Sequence, residues 1–104
     1  MNRENNVQSQ LKLDTARRKA ADERAAFRRE VGFRIARARK KLGLRQPELG
    51  EAAGCPSYMI SRYETGQILP RTLTLIRLAA ALGVTVDSLL ASDEHAGWPA
   101  QERR

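Results

Sequence analysis

The sequence predicts an all-α protein: a compact five-helix domain with an N-terminal helical extension and a flexible C-terminal tail. Three observations carry this. No stretch alternates apolar and polar residues as a half-buried strand would. Between Leu11 and Lys41 there is no Pro and a single Gly, and Ala, Arg, Lys, Glu and Leu dominate, the composition of a helix. Further along, Gly43, Gly54, Gly66 and Gly83 each follow a run with helical spacing, where a left-handed residue ends a helix. A length of 104 residues supports one small domain plus an extra segment. The expected division is a basic, partly helical extension over 1–26, a helical domain over 27–91 and a disordered tail over 92–104.

Residues 1–10 are polar, without a period to hold them, and are expected to fray. In the first helix Phe27, Val31, Ile35, Ala38 and Leu42 form one stripe able to face a core. Upstream of Asp22 the apolar positions are mostly Ala, too small to bury much area, so that part is either a solvated helix or unfolded until bound. The second helix starts at Arg45–Gln46, with Pro47 in its first turn and Glu48 at its positive end; Leu49, Ala52 and Ala53 point inward. Pro56 opens the third helix, with Met59, Ile60 and Tyr63 inward. A fourth runs from Thr72 to Leu82 with Leu75, Ile76, Leu78, Ala79 and Leu82 largely buried. Thr85 caps a last short helix carrying Val86, Leu89 and Leu90. Trp98 stands in the tail as a residue without a fixed partner, or else folds back on the domain or across a dimer.

Charge is unevenly spread. Nineteen Lys and Arg oppose twelve Asp and Glu, for a net +7; residues 1–45 hold 14 basic and 5 acidic side chains, against 5 and 7 in residues 46–104. The front half is therefore either a well-solvated helix or a surface for a polyanion. No run approaches the length of an apolar membrane span, and the first residues are polar where a signal peptide would be apolar, so a cytoplasmic protein is expected. Cys55 is the only cysteine and His95 the only histidine, which leaves no zinc cluster, no cofactor site and no nucleophile–base set for an enzyme. Cys55 sits where a small apolar residue would pack in a turn.

From Leu44 to Ala80 the chain reads as a helix-turn-helix with its supporting helix. A short helix, a turn at Gly54 and a second short helix ending before Gly66 present Ser57, Tyr58, Ser61 and Arg62 outward, a shape suited to the major groove of B-DNA. Arg62 has the fork to pair with a guanine, worth about 1–3 kcal/mol of discrimination, and its plainer alternative is a solvated arginine beside an acid. Ser57 and Ser61 are short and weakly selective; Tyr58 suits a thymine methyl or a phosphate oxygen. Arg37, Lys40, Lys41 and Arg45 are the candidate phosphate contacts near the motif.

The series Ile35-x-x-x-Arg39, Leu42-Gly43-Leu44, Gln46-x-Glu48-Leu49, Ala53-Gly54, Ile60-Ser61-Arg62-Tyr63-Glu64-x-Gly66, Pro70, Leu75-x-x-Leu78-Ala79-x-Ala81-Leu82-Gly83-Val84 and Asp87-x-Leu89-Leu90 resembles the Cro/C1-type, or XRE, lambda-repressor-like helix-turn-helix family over Val31–Leu90. That resemblance implies that Gln46 holds a phosphate and braces the recognition helix, and that Ser57, Tyr58, Ser61 and Arg62 face the groove. It further implies that Thr65 holds a phosphate, and that Arg39 and Glu64 form a partly buried ion pair tying the first helix to the end of the third. The implied function is a transcriptional regulator, a repressor binding double-stranded DNA as a homodimer on a palindromic operator. The alternative is an antitoxin-like protein whose N-terminal extension grips a protein partner and gains helix on binding. Departures from the family pattern are Arg45 and Pro56 in place of helix-capping residues, Gly50 in place of Ala, and Leu73 in place of a polar residue, which with Ile68 and Leu69 marks an exposed apolar surface.

Overall fold

A computed structural model describes residues 3–91, so His95 and Trp98 lie outside the described residues. Five helices follow in order: α1 (Arg3–Lys41), α2 (Gln46–Ala53), α3 (Ser57–Glu64), α4 (Thr72–Leu82) and α5 (Val86–Leu90). At about 1.5 Å per residue the 39 residues of α1 account for most of the molecule's 61 Å length. The domain gathers on the C-terminal third of that helix, and the rest projects beyond it.

Of the stretch expected to fray, residues 3–10 are helical, since α1 is continuous from Arg3 and crosses residue 27 without a break. No Pro or Gly interrupts it before Gly32, and local bonds from Gln10 to Asp14 (3.3 Å) and from the Thr15 hydroxyl to the Leu11 carbonyl (2.9 Å) lie along it. The apolar stripe on α1 is shorter than its spacing suggests. Val31 and Ile35 are fully buried and Ala38 packs against the core, but Phe27 and Leu42, at the ends, are exposed because the smaller helices cover only the middle.

The core is built by Val31 and Ile35 from α1, Leu49 and Ala53 from α2, Ile60 and Tyr63 from α3, Leu75, Leu78, Ala79 and Leu82 from α4, and Leu89 from α5. Two inward assignments are corrected: Ala52 and Ile76 face solvent, each rotated off the buried stripe of its helix. Val86 and Leu90 pack against the core, whereas Ile68, Leu69 and Leu73 are exposed as expected. Thr85 caps α5 by accepting from the Ser88 N–H at 3.1 Å.

Two glycines set how closely the helices cross. A Cβ at Gly32 would lie 2.2 Å from the Tyr63 carbonyl oxygen, so α1 rests directly on the last turn of α3. A Cβ at Gly50 would lie 2.4 Å from the Cys55 carbonyl oxygen, so Gly50 brings α2 against the turn that leads into α3.

Candidate nucleic-acid interface

The turn between α2 and α3 fixes the geometry of the motif. Gly54 ends α2 in the left-handed region (φ 74°), and the Cys55 N–H donates to the Gly50 carbonyl at 2.8 Å. Cys55 packs against the core and burial pushes its thiol pKa up, away from the reactive thiolate, in keeping with a packing role. Pro56 is the residue before the helix (ψ 150°) rather than its first turn, and α3 begins at Ser57. The N-terminus of α2 is closed by Glu48, whose carboxylate accepts from the Arg45 backbone N–H at 2.9 Å and from its guanidinium at 3.1 Å. Those bonds hold the Glu48 pKa below the ordinary carboxylate value. Arg45 has no side-chain acceptor to complete a reciprocal capping box, so only half of one forms.

Ile60 and Tyr63 anchor α3 in the core, and its other side is open: Ser57, Tyr58 and Arg62 are exposed and Ser61 is half-buried. Tyr58 is 60% exposed, and the Arg62 guanidinium lies over its ring at 5.4 Å. Among the described residues Arg62 therefore rests on an aromatic face and not on an acid, a cation–π contact weak enough at an exposed site for a base to displace.

Beneath this open row lies a polar tie. Arg39 forms a forked pair with Glu64, at 2.6 and 2.9 Å, and also donates to the Leu44 carbonyl at 2.8 Å. The Gln46 amide donates to the same carboxylate at 3.0 Å. The two charged side chains are only 11% and 6% exposed, and the Glu64 hydrogen bond outweighs desolvation to raise the Arg39 pKa. One carboxylate thus joins the end of α1, the loop before α2, the start of α2 and the end of α3.

The structure separates the other sequence candidates. Lys40, Lys41 and Arg45 are exposed, Arg45 already engaged by Glu48. Arg37 is exposed as well, but it stands two residues from Arg39, about 200° around α1, and so lies on the side turned away from α3; Lys41, four residues after Arg37, shares that side. The Thr65 hydroxyl donates back to the Ser61 carbonyl at 3.0 Å, so it must rotate to donate to a phosphate. Sequence reasoning missed Arg28, which donates to the Gly66 carbonyl at 3.2 Å, and Arg34, which donates to the Leu89 carbonyl at 3.5 Å. Nothing distinguishes these two from the other arginines of a basic helix. Gly32 did carry a signal, because a glycine inside a helix costs about 1 kcal/mol and calls for a packing reason.

An open helix held by a turn and a buried tie defines a helix-turn-helix unit. Residues 30–91 match the family model described as "Helix-turn-helix domain", and the chain belongs to that family. It is 38% identical over 69 residues to an uncharacterized HTH-type transcriptional regulator, y4dJ, of Sinorhizobium fredii, a match covering 65% of this chain and 90% of that protein. It is 38% identical over 63 residues to repressor protein C2 of Salmonella phage P22, covering 29% of that protein's length. Among solved structures, the P22 c2 repressor in complex with a synthetic operator superposes with a TM-score of 0.59 over 61% of this chain and 96% of that chain. An HTH_3 family regulator from Vibrio cholerae gives 0.64 over 70% of this chain and 41% of that one at 22% identity, a likeness of fold. The class is that of lambda-repressor-like transcription regulators, which are not enzymes. Among the described residues no helix is long and apolar enough to cross a membrane.

Proposed function

We propose that this protein binds double-stranded DNA in a sequence-specific way and represses transcription as a dimer on a palindromic operator. One observation carries the reading: α3 keeps Ser57, Tyr58 and Arg62 open to solvent while Arg39, Glu64 and Gln46 fix its far end from below. In this reading Ser57, Tyr58, Ser61 and Arg62 meet base edges, and Gln46, Lys40 and Arg45 contact the backbone, Arg37 and Lys41 lying on the side of α1 turned away from α3. Thr65 joins them after its hydroxyl rotates. The relative crystallised on an operator supports the same use of the motif. Two recognition helices in successive major grooves require half-sites about 34 Å apart, and blocking polymerase needs no catalytic group. The division at residues 26/27 separates the projecting part of α1 from this domain, and a DNA target implies a cytoplasmic protein.

The antitoxin-like alternative expects an arm that gains helix only on meeting its partner. The unbroken α1 gives that version no support. Selection of bound sequences from a random duplex library tests the main reading: one enriched motif with two-fold symmetry is expected, and no enrichment at low salt overturns it.

A further inference from the structure

We propose that the projecting part of α1 is an antiparallel pairing surface for a second copy of this chain. A flank of α1 about a third of a turn from the Val31–Ile35 stripe carries Lys12, Ala16, Lys19, Glu23, Ala26 and Glu30 at alternating spacings of four and three, the rhythm of a two-helix seam. All are exposed except Ala26, which is half-buried. Beside them, seven residues apart, run Leu13 (50% exposed), Ala20 and Phe27 (38% exposed). A shallow groove lined by Leu11, Lys12, Thr15, Ala16 and Lys19 lies on the N-terminal half of this surface.

The charges along the seam are sorted: both lysines precede the midpoint and both glutamates follow it. Laid antiparallel on itself about residue 21, the helix sets Lys12 against Glu30 of the second copy, Lys19 against Glu23, and Ala16 against Ala26. In the same register Leu13 lies beside Phe27 of the second copy, and Ala20 beside its own counterpart. The small alanines let the two helices approach, and two apolar contacts are buried at once. A parallel, in-register pair would put like charges together and is disfavoured. Glu30 also lies 3.6 Å from Arg34, which is only 18% exposed, while the Glu30 side chain itself remains 47% exposed. The one adverse meeting is Asp22 with its own copy on the exposed flank, where solvent screens it.

This surface deepens the dimeric reading given above, and its test uses no DNA, so its failure leaves DNA binding standing. Sedimentation of the full chain at low salt, over a concentration series, compares the unaltered protein with Lys12→Glu/Lys19→Glu and with Glu23→Lys/Glu30→Lys. Circular dichroism checks that both variants stay helical. Expected are salt-sensitive self-association of the unaltered protein, weakening by at least about tenfold in each variant, and recovery in their equimolar mixture as a heterodimer. A monomer throughout, a variant that pairs as well as the parent, or a mixture of folded variants that stays apart overturns the proposal.

Discussion

Among the described residues Glu64 ties together more segments than any other polar side chain, because Arg39 and Gln46 donate to it directly and the Leu44 carbonyl is held through Arg39. Replacing it by Gln leaves the Arg39 guanidinium charged, shielded and without its counter-charge. Loss of one member of a buried pair costs about 3–5 kcal/mol, and the slight exposure here sets the expectation at the lower end of that range. Chemical denaturation of Glu64→Gln measures it; a loss within experimental error of zero contradicts the role. Arg39→Met is expected to cost a similar amount, because it strands the Glu64 carboxylate, which then keeps only Gln46 among these partners, and leaves the Leu44 carbonyl without its donor. The pair was legible only through the family resemblance, since neither residue type nor a separation of 25 positions marks two charges as partners. The rest of Arg39's work, on the Leu44 carbonyl, was not legible, because a backbone acceptor leaves no trace in a sequence.

At the scale of the elements, the order and ends of α2 to α5 were readable because Gly, Pro and Thr mark them locally; the tertiary cover on α1 was not. Phe27 and Leu42 continue the buried stripe in period but extend past the helices that would bury them, so periodicity alone overstates the core. Gly50→Ala is a direct test of packing against propensity. Alanine gains up to about 1 kcal/mol in helix propensity, yet its Cβ would land on the Cys55 carbonyl, and clashes of this kind cost about 1–3 kcal/mol. Net destabilisation in a thermal melt is expected, and a raised Tm contradicts the close crossing. The start of α2 gives a pH prediction. Glu48 has a depressed pKa in the folded state, so its contribution is present above the unfolded carboxylate pKa and lost as pH falls through the folded value. Glu48→Gln should therefore melt below the parent at neutral pH, the gap closing on acidification; a gap unchanged by pH argues against the half capping box.

The whole molecule is polarised, with 14 basic and 5 acidic side chains up to residue 45 and a slight acidic excess beyond it. Composition shows that imbalance at once, but only the rotation of α1 sorts which cations serve a DNA surface next to α3. Each phosphate contact removed lowers the slope of log affinity against log salt by about one. Lys40→Ala is expected to lower it, and Arg37→Ala, on the side of α1 turned away from α3, to leave it unchanged. An Arg37→Ala effect as large as the Lys40→Ala effect would mean that DNA lies along a different side of the domain. The central claim is that the open side of α3 reads bases. Its most direct measurement repeats the selection from random duplexes with Arg62→Ala, beside the unaltered protein. The account predicts an enriched motif that loses its preference at one position in each half-site. An unchanged motif bound uniformly more weakly would move Arg62 to the backbone, and enrichment indifferent to Arg62, Tyr58 and Ser57 alike would contradict the claim.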